Sequence, residues 1–152
     1  MKPKQSTHNQ RGATALEFTL IAPLVFVLIF GMIEFSLLLY DKVMITNACR
    51  EGARAGVIAR PSRLTNDDIQ QVVVDYAQKH LITFGSDTLT KEDIDINPPE
   101  PRDGAMFGDD LTVTVIYHYN FLVFPNFKNL GWVNSDFPSL MDIKAVVVMK
   151  ME

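Results

Sequence analysis

Residues 18–33, FTLIAPLVFVLIFGMI, carry no charge, and after Glu34 the apolar character resumes through Phe35, Leu37, Leu38, Leu39 and Tyr40. Residues 18–40 make 23 positions, about 34 Å of helix at ~1.5 Å per residue, enough to cross a hydrocarbon core of ~30 Å. No second run of that length occurs, so one membrane-crossing helix is expected. Roughly ninety residues remain downstream, sufficient for one modest domain.

The flanks set the orientation. Lys2, Lys4 and Arg11 precede the span, with no acidic residue before Glu17, which favours a cytoplasmic N-terminus and a domain on the far side. A secretory signal is a poor alternative: the apolar run exceeds the ~7 to 15 residues of an h-region, and no A-x-A site closes it. Thr46-Asn47-Ala48-Cys49 is a poor lipoprotein site, since Thr and Asn occupy positions where small apolar or aliphatic residues belong.

A different processing pattern lies upstream. Gly12 is followed by Ala13-Thr14-Ala15-Leu16 and then Glu17-Phe18, immediately ahead of the apolar helix. This resembles the type IVb prepilin site. Together with Pro23, Gly31-Met32-Ile33-Glu34-Phe35 and Asn47-Ala48-Cys49-Arg50-Glu51-Gly52-Ala53-Arg54, it resembles the successive motifs of the TadE-like family, over about the first sixty residues. Members of that family are minor pilins, or pseudopilins, of the tight-adherence (Flp-type) pilus and secretion machinery. The resemblance implies cleavage between Gly12 and Ala13 by a prepilin peptidase, and an assembly role for Glu17 and Phe18. It further implies major and minor pilins, the inner-membrane assembly platform and the lipid bilayer as partners. No Tyr follows Glu17-Phe18, and the chain is far longer than a major Flp pilin, which favours a minor pilin. The rival reading is an uncleaved single-pass anchor carrying a periplasmic adaptor module. Under the minor-pilin reading, residues 1–12 are expected to be a cytoplasmic leader, 13–60 the N-terminal helix and 64–152 a periplasmic domain.

Cleavage would unmask an α-amine of pKa ~8 at Ala13, for which Glu17 offers a compensating carboxylate; otherwise Glu17 is a helix-start anion favoured by the macrodipole. Glu34 lies 17 residues further, about 25 Å along the axis and close to the outer edge of the hydrocarbon. Two environments suit it: solvated by snorkelling, or facing a basic residue of a neighbouring subunit. Pro23 removes the amide that would bond to Thr19, so a mild bend is expected there. Beyond the bilayer, Val43, Ile45, Ala48, Gly52, Ala55, Gly56 and Ala59 continue the helical spacing. Ala48, Gly52 and Gly56 share a face that lets another helix, or the domain's own sheet, approach closely. Arg60-Pro61-Ser62 ends the helix.

In the domain, Thr65-Asn66-Asp67-Asp68 supplies a cap and first-turn acids. Ile69, Val72, Val73, Tyr76, Ala77, His80 and Leu81 then fall at helical spacing, closing near Gly85. Leu111, Val113, Val115, Tyr117, Tyr119 and Phe121 alternate with polar residues, Ile116 excepted, predicting a strand with one buried face. Residues 143–149 are β-branched and long enough for a central strand, and residues 93–96 form a weaker candidate. The expected fold class is α+β, with the transmembrane helix running into a small domain built on a mainly antiparallel sheet. Residues 97–104 read as a proline-bearing loop. Phe124, Phe127 and Trp132 belong to an aromatic connection that suits either a core beneath a loop or contact with a membrane or partner.

The sequence suggests no catalytic constellation, metal site or cofactor. His80 and His118 lack a nucleophile or acid in the same motif, and Asp67-Asp68, Asp93 with Asp95, and Asp109-Asp110 lack calcium-loop spacing. Cys49 is the single cysteine and forms no internal disulfide; a buried side chain is expected. Nucleic acid is a poor partner: 14 basic and 18 acidic residues give a net charge of −4. Loss of Lys2, Lys4 and Arg11 with the leader leaves 11 against 18, or −7.

Overall fold

The structure is a computed structural model that describes residues 8–58, 63–83, 88–98, 108–122 and 140–151. Its first element is one helix, α1 (His8–Val57), 50 residues long and with Pro23 in its interior. From Gly12 to Ile33 α1 is largely exposed, and its C-terminal half is the spine of the domain. On that half, Ile45, Ala48, Cys49 and Ala53 are fully buried, and Val57 nearly so. Their spacing of three and four residues keeps them on one face.

Helix α2 (Asn66–His80) starts as the sequence predicts. Thr65 is the N-cap: its hydroxyl accepts from the Asp68 amide at 3.1 Å, while the Asp68 carboxylate accepts from the Thr65 amide at 3.0 Å. The helix ends at His80, short of the expected close near Gly85, which itself lies outside the described residues. Tertiary contacts with α1 explain the early stop. Tyr40 donates its hydroxyl to the His80 carbonyl at 3.1 Å, and the Ile82 amide leaves the helical path to donate to Asp41 at 3.2 Å. The buried stripe is Ile69, Val73, Val74 and Ala77. Val74 joins this stripe in place of Val72, which is only half-buried. His80 is likewise off the apolar face: it is exposed and stacks on Tyr76 at a ring separation of 4.3 Å.

A short 3₁₀ turn (Lys91–Asp93) leads into β1 (Ile94–Asn97), followed by β2 (Asp110–Asn120) and β3 (Leu140–Lys150). Asp93 thus belongs to the turn, where its carboxylate accepts from the Thr90 amide at 2.9 Å. The three strands form an antiparallel sheet in the order β1-β2-β3. The last strand is therefore at an edge, and the alternating strand β2 is central, the reverse of what β-branched content suggested. The pattern is instructive: β3 buries Ile143 and Ala145 but exposes Val146 and Val148, so its run of valines serves one covered face and one open one.

Leu111, Val113, Val115, Tyr117 and Tyr119 are buried as expected, and Ile116 points to the open face. The core lies between this inner face, α1 and α2. Both sheet edges are met by helix side chains: Gln70 donates to the Ile94 carbonyl at 2.9 Å, and the Lys42 ammonium donates to the Lys144 carbonyl. Such contacts satisfy edge groups that would otherwise invite pairing with another chain.

Candidate functional site

Residues of α1 from Gly12 onwards meet the length and composition of a membrane span, and none of its most apolar stretch is buried among the described residues. Phe18, Leu20, Leu24, Phe26 and Met32 are all more than half exposed. Glu17 is exposed on the same helix. Thr19 and Ser36 return their hydroxyls to the carbonyls four residues earlier, at 2.7 Å in each case. This removes their polarity from an otherwise apolar surface.

The exposed and docked halves meet at Glu34. Its side chain is 2% exposed. One carboxylate oxygen, Oε1, accepts from the Tyr119 hydroxyl at 2.8 Å and from the Leu122 amide at 2.9 Å. Neither expected environment, solvated or facing a neighbouring subunit, describes this geometry within the chain. The sequence places Glu34 at the edge of the span but cannot show that the end of β2 folds back to cover it. Burial, and then the bond to Glu34, push the Tyr119 phenol well above its ordinary pKa, so the proton stays on the donor.

Two turns further along, Asp41 is fully buried. Its Oδ1 accepts the Ile82 amide, while Oδ2 has no hydrogen-bond partner among the described residues. Burial raises its carboxyl above the ordinary value of 3.8, opposed by the Ile82 N–H. Glu34, Asp41 and Ala48 recur at intervals of seven, so these groups follow the same face down the helix as the apolar core.

The small-residue face closes the site from above. A β-carbon on Gly52 would overlap the Val73 side chain, and one on Gly56 would lie 2.6 Å from both Ile69 Cδ1 and Leu111 Cδ2. Within the chain, Gly52 therefore lies against α2 and Gly56 against α2 and β2, while Ala48 is fully buried on the same helix. Cys49 is buried as expected; its thiol donates to the Val113 carbonyl at 3.0 Å, and burial pushes it up to about 11.

His118 is brought beside two acids that lie apart from it in the sequence. Its Nδ1 lies 2.6 Å from Asp142, its cross-strand partner, and its Nε2 lies 3.9 Å from Asp93. The cluster is on the open face and half exposed, where such pairs contribute little. Among the described residues no group of three or more His, Cys, Asp or Glu could hold a metal ion. Phe124, Phe127 and Trp132 lie outside the described residues.

Residues 12–54 match the model of the family described as TadE-like protein. The N-terminal segment is TadE-like. The TadE-like segment starts at the glycine of the processing pattern and runs through the exposed half of α1 into its docked half, ending beside Gly56. Its family is one of pilin-like proteins associated with the Tad pilus, structural in character. Comparison of the whole chain with curated proteins and with solved structures finds no match. The TadE-like segment thus contains the membrane anchor and the face on which the α+β domain is built.

Proposed function

We propose that the chain is a minor pilin, or pseudopilin, of a tight-adherence type IVb pilus or secretion system, acting in pilus assembly after a prepilin peptidase cuts between Gly12 and Ala13. One observation carries this reading: the TadE-like match begins at Gly12 and covers a helix whose apolar half has no cover among the described residues. That half is free to be stored in the inner membrane and later to pack with other pilin helices. Glu17 and Phe18 lie at its start, where a new amine at Ala13 would appear. The basic residues Lys2, Lys4 and Arg11 favour a cytoplasmic N-terminus and a periplasmic domain. Phe124, Phe127 and Trp132 remain proposed contacts with a membrane or a partner subunit.

The test is intact-mass and N-terminal analysis of the protein from a peptidase-competent host. A chain that starts at Ala13 is expected. Recovery of full-length protein alone would favour the uncleaved membrane-anchored adaptor. Orientation is tested separately: a reporter fused after Gly85 is expected to be active only in an extracytoplasmic form, and cytoplasmic activity there would overturn the topology.

A further inference from the structure

The uncharged stretch between Glu17 and Glu34 is shorter than a bilayer needs. Residues 18–33 number 16, about 24 Å of helix, against a hydrocarbon core of ~30 Å. The missing 6 Å or so, roughly four residues, must be drawn from one end of the stretch or matched by thinning the bilayer.

The two ends are not equivalent. Glu17 is exposed on α1, so pulling it into hydrocarbon would strip water from a carboxylate the fold does not cover. Glu34 is already withdrawn from water and already accepts from Tyr119 and Leu122. Its desolvation belongs to folding, so lipid can rise past it at little further cost.

The surface at that level suits lipid. On the uncovered side of α1, Phe35 is 61% exposed and Leu39 is 48% exposed. On the domain, Leu122 donates its amide to Glu34 and leaves its side chain exposed. Met141 pairs with Tyr119 across the sheet and is also exposed. One step further along the strands, on the opposite face of the sheet, lies the polar His118–Asp142 pair.

We propose that the Glu34 end of the domain is seated in the outer leaflet, with hydrocarbon reaching about one helical turn beyond Glu34 and covering Phe35, Leu39 and Leu122, and with Met141 among the headgroups. The occupant of this apolar collar is lipid. The inference rests on the single-span reading above, and the two can fail separately.

Single cysteines in place of Leu122, Met141 and Val148 test it in the full chain, reconstituted at high dilution in dioleoylphosphatidylcholine vesicles. Val148 is exposed on β3, seven residues beyond Met141, or about 24 Å at ~3.4 Å per residue. It reports a position in water and corrects for the fraction of chains facing outwards. Cys49 is buried, so the wild-type chain supplies the labelling background. The readout is the rate of reaction with a charged, membrane-impermeant maleimide. Because a charged reagent is strongly disfavoured in hydrocarbon, Leu122→Cys is expected to react at least about tenfold more slowly than Val148→Cys, with Met141→Cys between them. In thinner dilauroylphosphatidylcholine vesicles the gap should narrow, since the uncharged stretch then spans unaided.

Equal rates at Leu122 and Val148 in the thicker vesicles would overturn the proposal. So would slow rates indifferent to thickness, which mean cover by the chain itself, or slow rates that rise on further dilution in lipid, which mean cover by a second copy. Release of the wild-type chain from vesicles by alkaline carbonate would instead sink the single-span reading.

Discussion

Tyr119, on the central strand, donates its hydroxyl to Glu34 on the membrane helix at 2.8 Å, joining positions 85 residues apart in the chain. The Leu122 amide reaches the same oxygen at 2.9 Å. Together they fix where the domain begins along α1. Below Glu34 the helix is bare; above it, one face is the domain's core.

Truncating the donor by Tyr119→Phe leaves a buried carboxylate short of one bond, which is expected to cost about 1–3 kcal/mol. Glu34→Leu removes the acceptor. In that background Tyr119→Phe should cost markedly less, because the bond is already gone. Thermal unfolding of the full chain in micelles, followed by near-ultraviolet circular dichroism, measures both. Additive losses would mean that the pair is not coupled.

The glycines of the docked face should respond unequally. At Gly56 a new methyl would meet Ile69 Cδ1 and Leu111 Cδ2, the far ends of side chains that can swing away. At Gly52 it would meet the Val73 γ-methyl, held by a β-branched side chain within a helix. Replacement of glycine by alanine inside a helix itself favours folding by about 0.5–1 kcal/mol. Gly56→Ala is therefore expected to be close to neutral, while Gly52→Ala loses about 1–3 kcal/mol through overpacking. Equal stability of the two variants would show that α2 can shift away from α1 freely.

Much of this fold is legible in the sequence because its cues are local. Thr65 and Asp68 announce the start of α2, and strict alternation from Leu111 to Phe121 announces a strand with one covered face. The apolar run ahead of Glu34, with Gly12 and Glu17-Phe18, announces the helix and its likeness to the TadE-like family. The misreadings share a cause in tertiary contact. The stop at His80 depends on Tyr40 and Asp41, residues on another helix. The edge position of β3 depends on pairing order, which β-branched content does not encode. Glu34 was singled out by its charge in an apolar run, yet its partners Tyr119 and Leu122 lie in a part of the chain with no sequence link to it. Asp41 gave no signal at all, since an acid just past a span ordinarily faces water.

That buried acid has a pH signature with a definite sign. Burial raises the folded-state pKa of Asp41 above 3.8, so the folded chain holds this proton more tightly than the unfolded chain does. Its contribution to stability therefore falls as pH rises from 3.8 through the folded value. Asp41→Asn keeps an acceptor for the Ile82 amide and removes the charge. The variant and the wild type should unfold at similar temperatures below that range, and the variant should become the more stable towards neutral pH. Asp68 titrates with the opposite sign: Thr65 lowers its pKa, so its contribution is complete above 3.8 and is lost as pH falls through the folded value. It is common to both proteins and cancels in the difference. A difference in Tm that does not change with pH would show that Asp41 is not held in this environment.

Glu17 separates processing from assembly. It lies five residues beyond Gly12, exposed at the start of the apolar half of α1. A carboxylate carried into a bilayer costs a few kcal/mol unless neutralised or paired, and cleavage after Gly12 would supply a cation in the new amine of Ala13 on a neighbouring subunit. Such a pair also sets axial register, because sliding one helix along the other leaves two unpaired charges in a low-dielectric medium. Glu17→Gln preserves size and hydrogen bonding without the charge. Leader removal and membrane insertion are expected to survive it, while co-purification of partner pilins from membranes is lost. Gly12→Leu should instead block leader removal. If Glu17→Gln retains its partners as well as the wild type does, charge pairing is not what aligns the helices, and Glu17 is a helix-start anion stabilised by the macrodipole.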